Sequence, residues 1–167
     1  FGQEKSLDIH LRSDNMKLDK DLEYAIPDKF REQWDKFELE GEVRIYFHSH
    51  REPGSEKRKK LKVYPSDINV IYKPFPYPLK QVNGELTFQD GEADINDIIA
   101  EYEGKKITIN GNVDKQASTS QLNIECENLP VDEQLKSILA QTDINIGEEI
   151  ELLDGLINSE IKIRKTR

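Results

Sequence analysis

The chain has 167 residues, of which 24 are basic and 33 are acidic, so its formal net charge is −9, and 35% of its residues are hydrophobic. This length suits one domain with a core of its own, while the acidic balance argues against nucleic acid as the main partner, because that affinity depends on neutralising phosphates with Lys and Arg. No apolar run approaches the length of a membrane-spanning helix, and the start at Phe1 without a signal-like segment suggests a piece of a longer protein.

Apolar and polar residues alternate along most of the chain, which predicts β-strands with one apolar face turned away from water (the dry face) and one solvent-exposed polar face (the wet face). Short connections between these segments favour an antiparallel meander. Eight segments carry the pattern, with apolar positions at Leu7, Ile9 and Leu11; Val43, Ile45 and Phe47; Ile68, Val70 and Tyr72; Leu86 and Phe88; Ile98, Ala100 and Tyr102; Ile107 and Ile109; Leu122, Ile124 and Cys126; and Ile161 and Ile163.

Short amphipathic helices are predicted to interrupt the sheet. Asp19, Asp28 and Asp132 are candidate N-caps, and Pro27 is expected to end the first helix. Apolar residues at helical spacing follow each cap, and a further set precedes Gly155. These residues are Leu22, Ala25 and Ile26; Phe30, Trp34 and Phe37; Leu135, Ile138 and Leu139; and Ile146, Ile150 and Leu153.

Turns and a bulge are predicted inside the meander. The Asp90-Gly91 dipeptide favours a type I′ hairpin turn, and Glu103-Gly104 is expected to turn the chain again. A mostly polar link over residues 114–120 leads into the Leu122 strand. The alternation slips by one position at Asn96-Asp97, which predicts a β-bulge there.

Two glycines have an unusual place in the pattern. Asn83-Gly84 and Asn110-Gly111 could be hairpin turns, but the apolar positions before and after each glycine keep one phase, so Gly84 and Gly111 replace dry-face side chains within strands. Glycine inside a strand marks curvature or close approach by another group. The predicted fold is therefore mainly β (α+β): a strongly curved antiparallel meander with an apolar concave face and two or three short amphipathic helices.

The start of the chain matches its end. The segment 7–22 parallels 122–135 in apolar positions and in an Asn-x-x-x-Asp spacing, and Leu39–Val43 parallels Leu153–Ile157. This recurrence predicts one full repeat unit over residues 1–140, consisting of a strand, helices over 19–37, a meander over 39–126 and a helix over 132–140. Residues 141–167 would begin the next unit, and the strand of that unit would be an open sheet edge with which the rest of the unit pairs.

Residues with catalytic or metal-binding chemistry give no motif. His48 and His50 share a strand face and could hold a metal with His10, but histidines on a wet face are more often solvated. The single cysteine, Cys126, excludes an intramolecular disulfide and lies in phase with the dry face, so it is expected to be a buried small hydrophobe rather than a nucleophile. We therefore predict no enzyme, no catalytic residue, no metal site and no cofactor.

Two segments stand out in composition. The basic run Lys57, Arg58, Lys59 and Lys60, followed by Lys62, is predicted to form a long loop tip, either simply solvated or in contact with anionic lipid headgroups. The alternate prolines of residues 74–79 could resemble a ligand of SH3 domains, but they run directly into an apolar strand pattern, so we expect a strand entry or a sheet edge.

The order of several motifs resembles a known family. The segments Phe75–Leu79, Val82–Phe88, Ile107–Gly111 and Asn128–Leu135, taken in this order, are similar to the AsmA-like proteins of bacterial envelopes, including the TamB and YhdP branches. The resemblance covers roughly Leu7 to Leu139. It implies a long protein anchored in the inner membrane, with a curved sheet whose apolar groove carries phospholipid chains across the periplasm. The membrane anchor and the membrane contact would belong to parts of the protein outside this segment.

The function implied is binding and conduction of phospholipid acyl chains, with neighbouring repeats of the same chain as partners. Non-directional apolar contacts would let a lipid slide. The predicted groove lining consists of Val43, Ile45, Phe47, Ile68, Val70, Val82, Leu86, Phe88, Ile107, Ile109, Leu122 and Ile124. The alternative is a non-transporting scaffold or adhesion module of the envelope, in which the same apolar face is a sealed core.

Overall fold

The computed structural model describes residues 6–26, 31–32, 34–114, 116–141 and 155–165. Eight strands and two helices follow one another as β1 (Leu7–Lys17), α1 (Lys20–Ala25), β2 (Phe37–Arg51), β3 (Arg58–Tyr72), β4 (Phe75–Gln89), β5 (Glu92–Tyr102), β6 (Lys105–Asp114), β7 (Thr119–Pro130), α2 (Glu133–Gln141) and β8 (Leu156–Lys165). The described helices include none that is both long enough and apolar enough to span a membrane.

The strands form one open sheet in the order β1 to β8, and every neighbouring pair is antiparallel. The prediction of a mainly β antiparallel meander with short helices is confirmed. Because each strand pairs with its neighbours in sequence, β1 and β8 lie at the two edges of the sheet.

The two ends of the sheet differ in their connections. One end, which we call the turn end, holds the β2–β3, β4–β5 and β6–β7 connections. The opposite end, called the helix end, holds the β3–β4 and β5–β6 turns together with α1 and α2. Positive φ angles at Asp90 (50°) and Gly91 (101°) are those that a type I′ turn requires, so the predicted hairpin is confirmed. The turn at Glu103-Gly104 is confirmed in the same way, with φ of 48° and 75°.

The basic run does not form the predicted loop tip. Arg58, Lys59 and Lys60 belong to β3 and pair with residues 48–50 of β2, while Lys57 lies in the connection. The reason is the alternation that follows: Leu61 and Val63 pair with Phe47 and Ile45 on the apolar face, and this register extends the hairpin through the basic residues. The proline-containing segment enters β4 at Phe75, as expected.

The helices agree with the sequence in part. Asp19 caps α1 by accepting hydrogen bonds from the backbone N–H groups of Asp21 and Leu22, each at 3.1 Å. Asp132 accepts from the N–H of Leu135 at 2.7 Å and begins α2. Arg31, Glu32 and Trp34 are helical, but Phe37 is wrong as a helix residue because it pairs with Tyr72 as the first residue of β2.

Several predicted helix residues lie outside the described part of the chain. These are Pro27, Asp28 and Phe30, and the proposed helix at Ile146, Ile150 and Leu153.

The core lies on one face of the sheet, towards the helix end. Its buried side chains come from the strands and from Leu135 of α2, and partly buried apolar side chains of the same face pack around them. Cys126 is buried, as predicted. The buried members are Val43, Ile68, Tyr77, Val82, Ile98, Ala100, Tyr102, Ile107, Cys126, Leu129 and Leu135.

Candidate functional site

A line of bulges interrupts the strands between the two ends of the sheet. The predicted bulge in β5 is confirmed by a register shift between Ile95 and Ile98, with Asp97 in the left-handed region at φ 48°. Asp67 in β3 and Asn128 in β7 have the same conformation, at φ 54° and 53°. A bulge bends its strand and increases the local twist, so the apolar face changes direction along this line.

Asparagine side chains from neighbouring strands hold these bulges. The N–H of Asp67 donates to Asn83 Oδ1 at 3.2 Å, the N–H of Asp97 to Asn110 Oδ1 at 2.8 Å, and the N–H of Asn128 to Asn158 Oδ1 at 2.7 Å. A bulge takes backbone groups out of the regular ladder. The asparagines supply the missing acceptor in three places by the same contact.

The in-strand glycines are required by close approach, as the sequence pattern predicted. A Cβ at Gly84, where φ is 138°, would lie 2.6 Å from the carbonyl oxygen of Asp97. A Cβ at Gly111 would collide with the carbonyl oxygen of Gln121. Real Cβ atoms do not approach a backbone oxygen so closely, so these positions need glycine for the strands to pack as they do.

The twelve predicted lining residues occupy one face, in the phase set by the cross-strand register. Their burial varies strongly. Val43, Ile68, Val82 and Ile107 are buried. Ile45, Val70, Leu86, Ile109 and Ile124 are partly buried against the core, Phe47 and Leu122 are half-buried, and Phe88 is 42% exposed.

At the helix end, the apolar face is covered around α2, whereas Phe37 and Tyr72, which pair on the same face, stay 39% and 40% exposed. The ring of Tyr102 lies on that of Tyr77, with centroids 4.1 Å apart. The Tyr102 hydroxyl donates to Asp132 Oδ2 at 2.6 Å and lies 3.2 Å from Gln134 Oε1. Burial, together with the adjacent Asp132 carboxylate, raises the pKa of Tyr102 to about 12, and burial raises the pKa of Tyr77 well above its usual value. The connection through α2 is thus fixed to the sheet by packing and by hydrogen bonds.

Part of the same face stays accessible at the turn end, although Ser49, which lies on this face there, is buried. One cross-strand row there runs from β1 to β6 and consists of Leu11, Phe47, Leu61, Phe88, Ala93 and Val113. We call it the turn-end row. Leu11 is 57% exposed and Phe88 is 42% exposed, although both point to the face that holds the core.

The two edges of the sheet are built alike. The N–H of Leu18 donates to the carbonyl of Gly41 at 3.0 Å, and the N–H of Val131 donates to the carbonyl of Gly155 at 3.0 Å. These residues correspond in the alignment of the chain start with the chain end. At β8, Ile161 is 45% exposed on the apolar face, and β7 is its strand partner within the described residues.

The predicted headgroup-contacting residues do not lie on one surface. Lys57 and Arg58 line a polar depression of about 380 Å³ together with Ser55, Glu56, Asp90 and Gln116. Lys60 is in register with His48 on the polar face, whereas Lys59 is in register with Ser49, two residues from Leu61 of the turn-end row. Lys62 forms an ion pair with Glu85 at 2.7 Å, and this contact raises the pKa of Lys62.

The polar face also brings three histidines together around a carboxylate that the sequence reading missed. Asp8 Oδ1 lies 2.8 Å from His48 Nε2 and 3.2 Å from His10 Nε2. The signal was present in the sequence, because Asp8 and His10 share one strand face, as do His48 and His50, but the pairing of β1 with β2 had to be known to join them.

Comparisons of the chain with protein-family models, with curated proteins and with solved structures gave no match.

Proposed function

We propose that this chain is a segment of a larger envelope protein whose apolar sheet face binds phospholipid acyl chains and conducts them between membranes. The observation that carries the proposal is the turn-end row, a stripe of apolar side chains on the face that holds the core, in which Leu11 is 57% and Phe88 is 42% exposed and the other four members are half-buried. Membrane anchoring and a periplasmic location of the full-length protein belong to the proposal and follow from the resemblance to AsmA-like proteins.

The dimensions and chemistry of the row suit an acyl chain. Strands in a sheet lie about 4.8 Å apart, so a row across six strands spans about 24 Å, more than the roughly 15 Å that one leaflet of hydrocarbon occupies. Each CH₂ group removed from water contributes about 0.8 kcal/mol. The row contains aliphatic and aromatic side chains in register, so it offers contacts without fixed direction, which a sliding lipid needs.

A positive charge lies beside the row. Lys59 is exposed and precedes Leu61 by two residues on the same side of β3. A lysine near an anionic membrane surface contributes about 1 kcal/mol of attraction. This favours Lys59, among the four predicted basic residues, as the contact for a phospholipid headgroup whose chain lies on the turn-end row.

The open edges support a place within a longer sheet. The hydrogen bond from Val131 to Gly155, which joins the β7 and β8 segments, repeats the one from Leu18 to Gly41, which joins the β1 and β2 segments. β8 also presents Ile161 on the apolar face. A further repeat pairing with β8 would extend the face and cover the strand edge, which otherwise invites pairing with another chain.

The proposal is tested by native mass spectrometry of protein purified gently from cells, with Phe88→Asp as the variant and Ile99→Asp as its matched control. Ile99 is 40% exposed, close to the 42% of Phe88, but it pairs with Thr108 on the polar face. We expect phospholipid adducts on the wild type and on Ile99→Asp and their loss from Phe88→Asp. Empty wild-type protein, or equal lipid on both variants, would contradict the proposal.

A second candidate is a non-transporting scaffold or adhesion module of the envelope with a sealed core. The packing of α2 and the tyrosine pair at the helix end favours it, because the part of the face around Leu135 and Tyr102 is already covered by the chain. The two functions differ in their response to Leu86→Asp. A sealed core should unfold, whereas an open face should tolerate the carboxylate and lose its lipid.

A further inference from the structure

We propose that Asp8, His10 and His48 form a binding site for a divalent first-row transition-metal ion, for which Zn²⁺ is the probe of choice. The site lies on the polar face near the turn end, where β1 and β2 pair, and is separate from the apolar face to which lipid binding is assigned. Two imidazoles and one carboxylate are ligands that Zn²⁺ accepts, with water completing the tetrahedron.

The site arises from strand geometry. Side chains two residues apart in a strand share a face, so Asp8 lies beside His10 and His48 beside His50. The antiparallel register then sets His10 opposite His48 and Asp8 opposite His50. The four potential ligands, Asp8, His10, His48 and His50, therefore lie next to one another as two adjacent cross-strand pairs on the polar face.

The distances fit a metal shell. Zn–N and Zn–O bonds of about 2.0–2.1 Å place tetrahedral ligand atoms about 3.3 Å apart. Asp8 Oδ1 lies 2.8 Å from His48 Nε2 and 3.2 Å from His10 Nε2, and the three ligand atoms all lie within 4.8 Å of one another. Both Nε2 atoms therefore lie beside the same carboxylate oxygen. The rings of His10 and His48 are stacked, with centroids 4.1 Å apart and an angle of 11° between planes, and since an imidazole binds a metal in its ring plane, they turn towards a shared ion when it binds.

His50 holds the carboxylate from its other side. Its Nδ1 lies 3.7 Å from Asp8 Oδ2, and its Nε2 lies 3.2 Å from Glu52 Oε1. Such outer contacts orient a ligating carboxylate, so His50 is a positioning residue. Arg58 and Lys60 stand in register beside His50 and His48, which means that metal affinity must come from coordination rather than from long-range attraction by a negative surface.

The ligand set also predicts which ions bind. Imidazole nitrogens suit Zn²⁺, Ni²⁺ and Cu²⁺, whereas Mg²⁺ prefers oxygen ligands and keeps its waters. A bound ion would link the edge strand β1 to β2. At a free ion concentration about 100 times the dissociation constant, we expect the melting temperature to rise by about 5–10 °C.

The experiment is calorimetric titration of the tag-free chain with ZnCl₂ and, separately, with MgCl₂. We expect Zn²⁺ to bind and Mg²⁺ to give no heat. His10→Gln, His48→Gln and Asp8→Asn should each weaken Zn²⁺ binding by about tenfold or more. Asp14→Asn is the matched control, because Asp14 has the same side-chain exposure as Asp8, 54%, and pairs with Arg12 on the same strand.

The outcomes separate cleanly. Loss of binding in the site variants with unchanged binding in Asp14→Asn supports the site, and circular dichroism shows whether each variant is folded. No heat with the wild type at about 1 mM Zn²⁺, which would mean an affinity too weak to matter, overturns the proposal. Equal affinity of wild type and His48→Gln overturns it as well, because the ion would then bind elsewhere.

Discussion

The part of the helix end around α2 and the turn-end row present apolar side chains on the same face of one sheet, yet they differ in burial. At the helix end, Ala100 is 1% and Ile107 is 5% exposed, whereas Leu11 and Phe88 at the turn end are 57% and 42% exposed. Leu135 of α2 packs into the helix-end core. The apolar face is therefore sealed where a connection folds back over it, and the alternation of residues alone does not determine where that happens.

The largest expected effect on stability comes from comparing two side-chain truncations, one at each end of the sheet. Ile107→Ala should lower the free energy of unfolding by about 2–4 kcal/mol, because it leaves a cavity in packed surroundings. Leu11→Ala should lower it by less than about 1 kcal/mol, because most of this side chain is in water already. Urea denaturation measures both values. Similar losses would show that the two ends are equally packed.

The boundary between the two ends depends on the bulges and their glycines. Gly84→Ala should cost about 2–3 kcal/mol, because the backbone is strained for an L-residue and the new Cβ meets the Asp97 carbonyl at 2.6 Å. Gly104→Ala is the control, since φ is also positive there at 75° but nothing lies within 4 Å of the Cβ, and it should cost about 1 kcal/mol. Thermal or urea unfolding of both variants checks the difference, and equal costs would mean that close approach contributes nothing.

Removing the N-caps of α1 and α2 should have smaller effects on stability. Comparing the two effects tests whether α2 covers the core. Asp132→Ala removes the cap of α2 and the acceptor of the Tyr102 hydroxyl, so we expect a loss of about 1–2 kcal/mol. Asp19→Ala removes only a cap from a helix without buried residues, and its cost should stay below about 1 kcal/mol. If Asp19→Ala proved the more damaging in urea denaturation, α2 would not be the cover of the core.

The raised pKa of Tyr102 predicts a dependence on pH. The folded protein holds this proton up to about pH 12, while an ordinary tyrosine loses it near pH 10.0, so the folded state binds more protons between these values and stability falls as pH rises through them. The contribution is fully present below pH 10.0. Tyr102→Phe should make the decline of stability over this interval shallower, as followed by thermal unfolding at several pH values. An unchanged decline would exclude Tyr102 as its source.

Sequence reasoning identified much of the architecture. Alternation predicted the strands, Asp90-Gly91 the hairpin, Asn96-Asp97 the bulge and Gly84 the close approach, because each depends on neighbours in sequence or on one adjacent strand. It was wrong about Phe37, which strand pairing draws into β2, and about the basic run, which the β2 register draws into β3. In both segments, the local preference for a helix or a loop is weaker than the stabilisation gained by pairing with a neighbouring strand.

The sequence by itself determined the two faces of the sheet, because a period of two residues places alternate side chains on opposite sides wherever a strand forms. It also determined the helix caps at Asp19 and Asp132, since a cap acts within one turn of its helix. Only the tertiary structure decided which part of the apolar face is covered by Leu135 and the tyrosine pair, and that Asp8 meets His10 and His48. These contacts join residues far apart in the chain, and their geometry is set by strand register and by the path of a connection rather than by local preference.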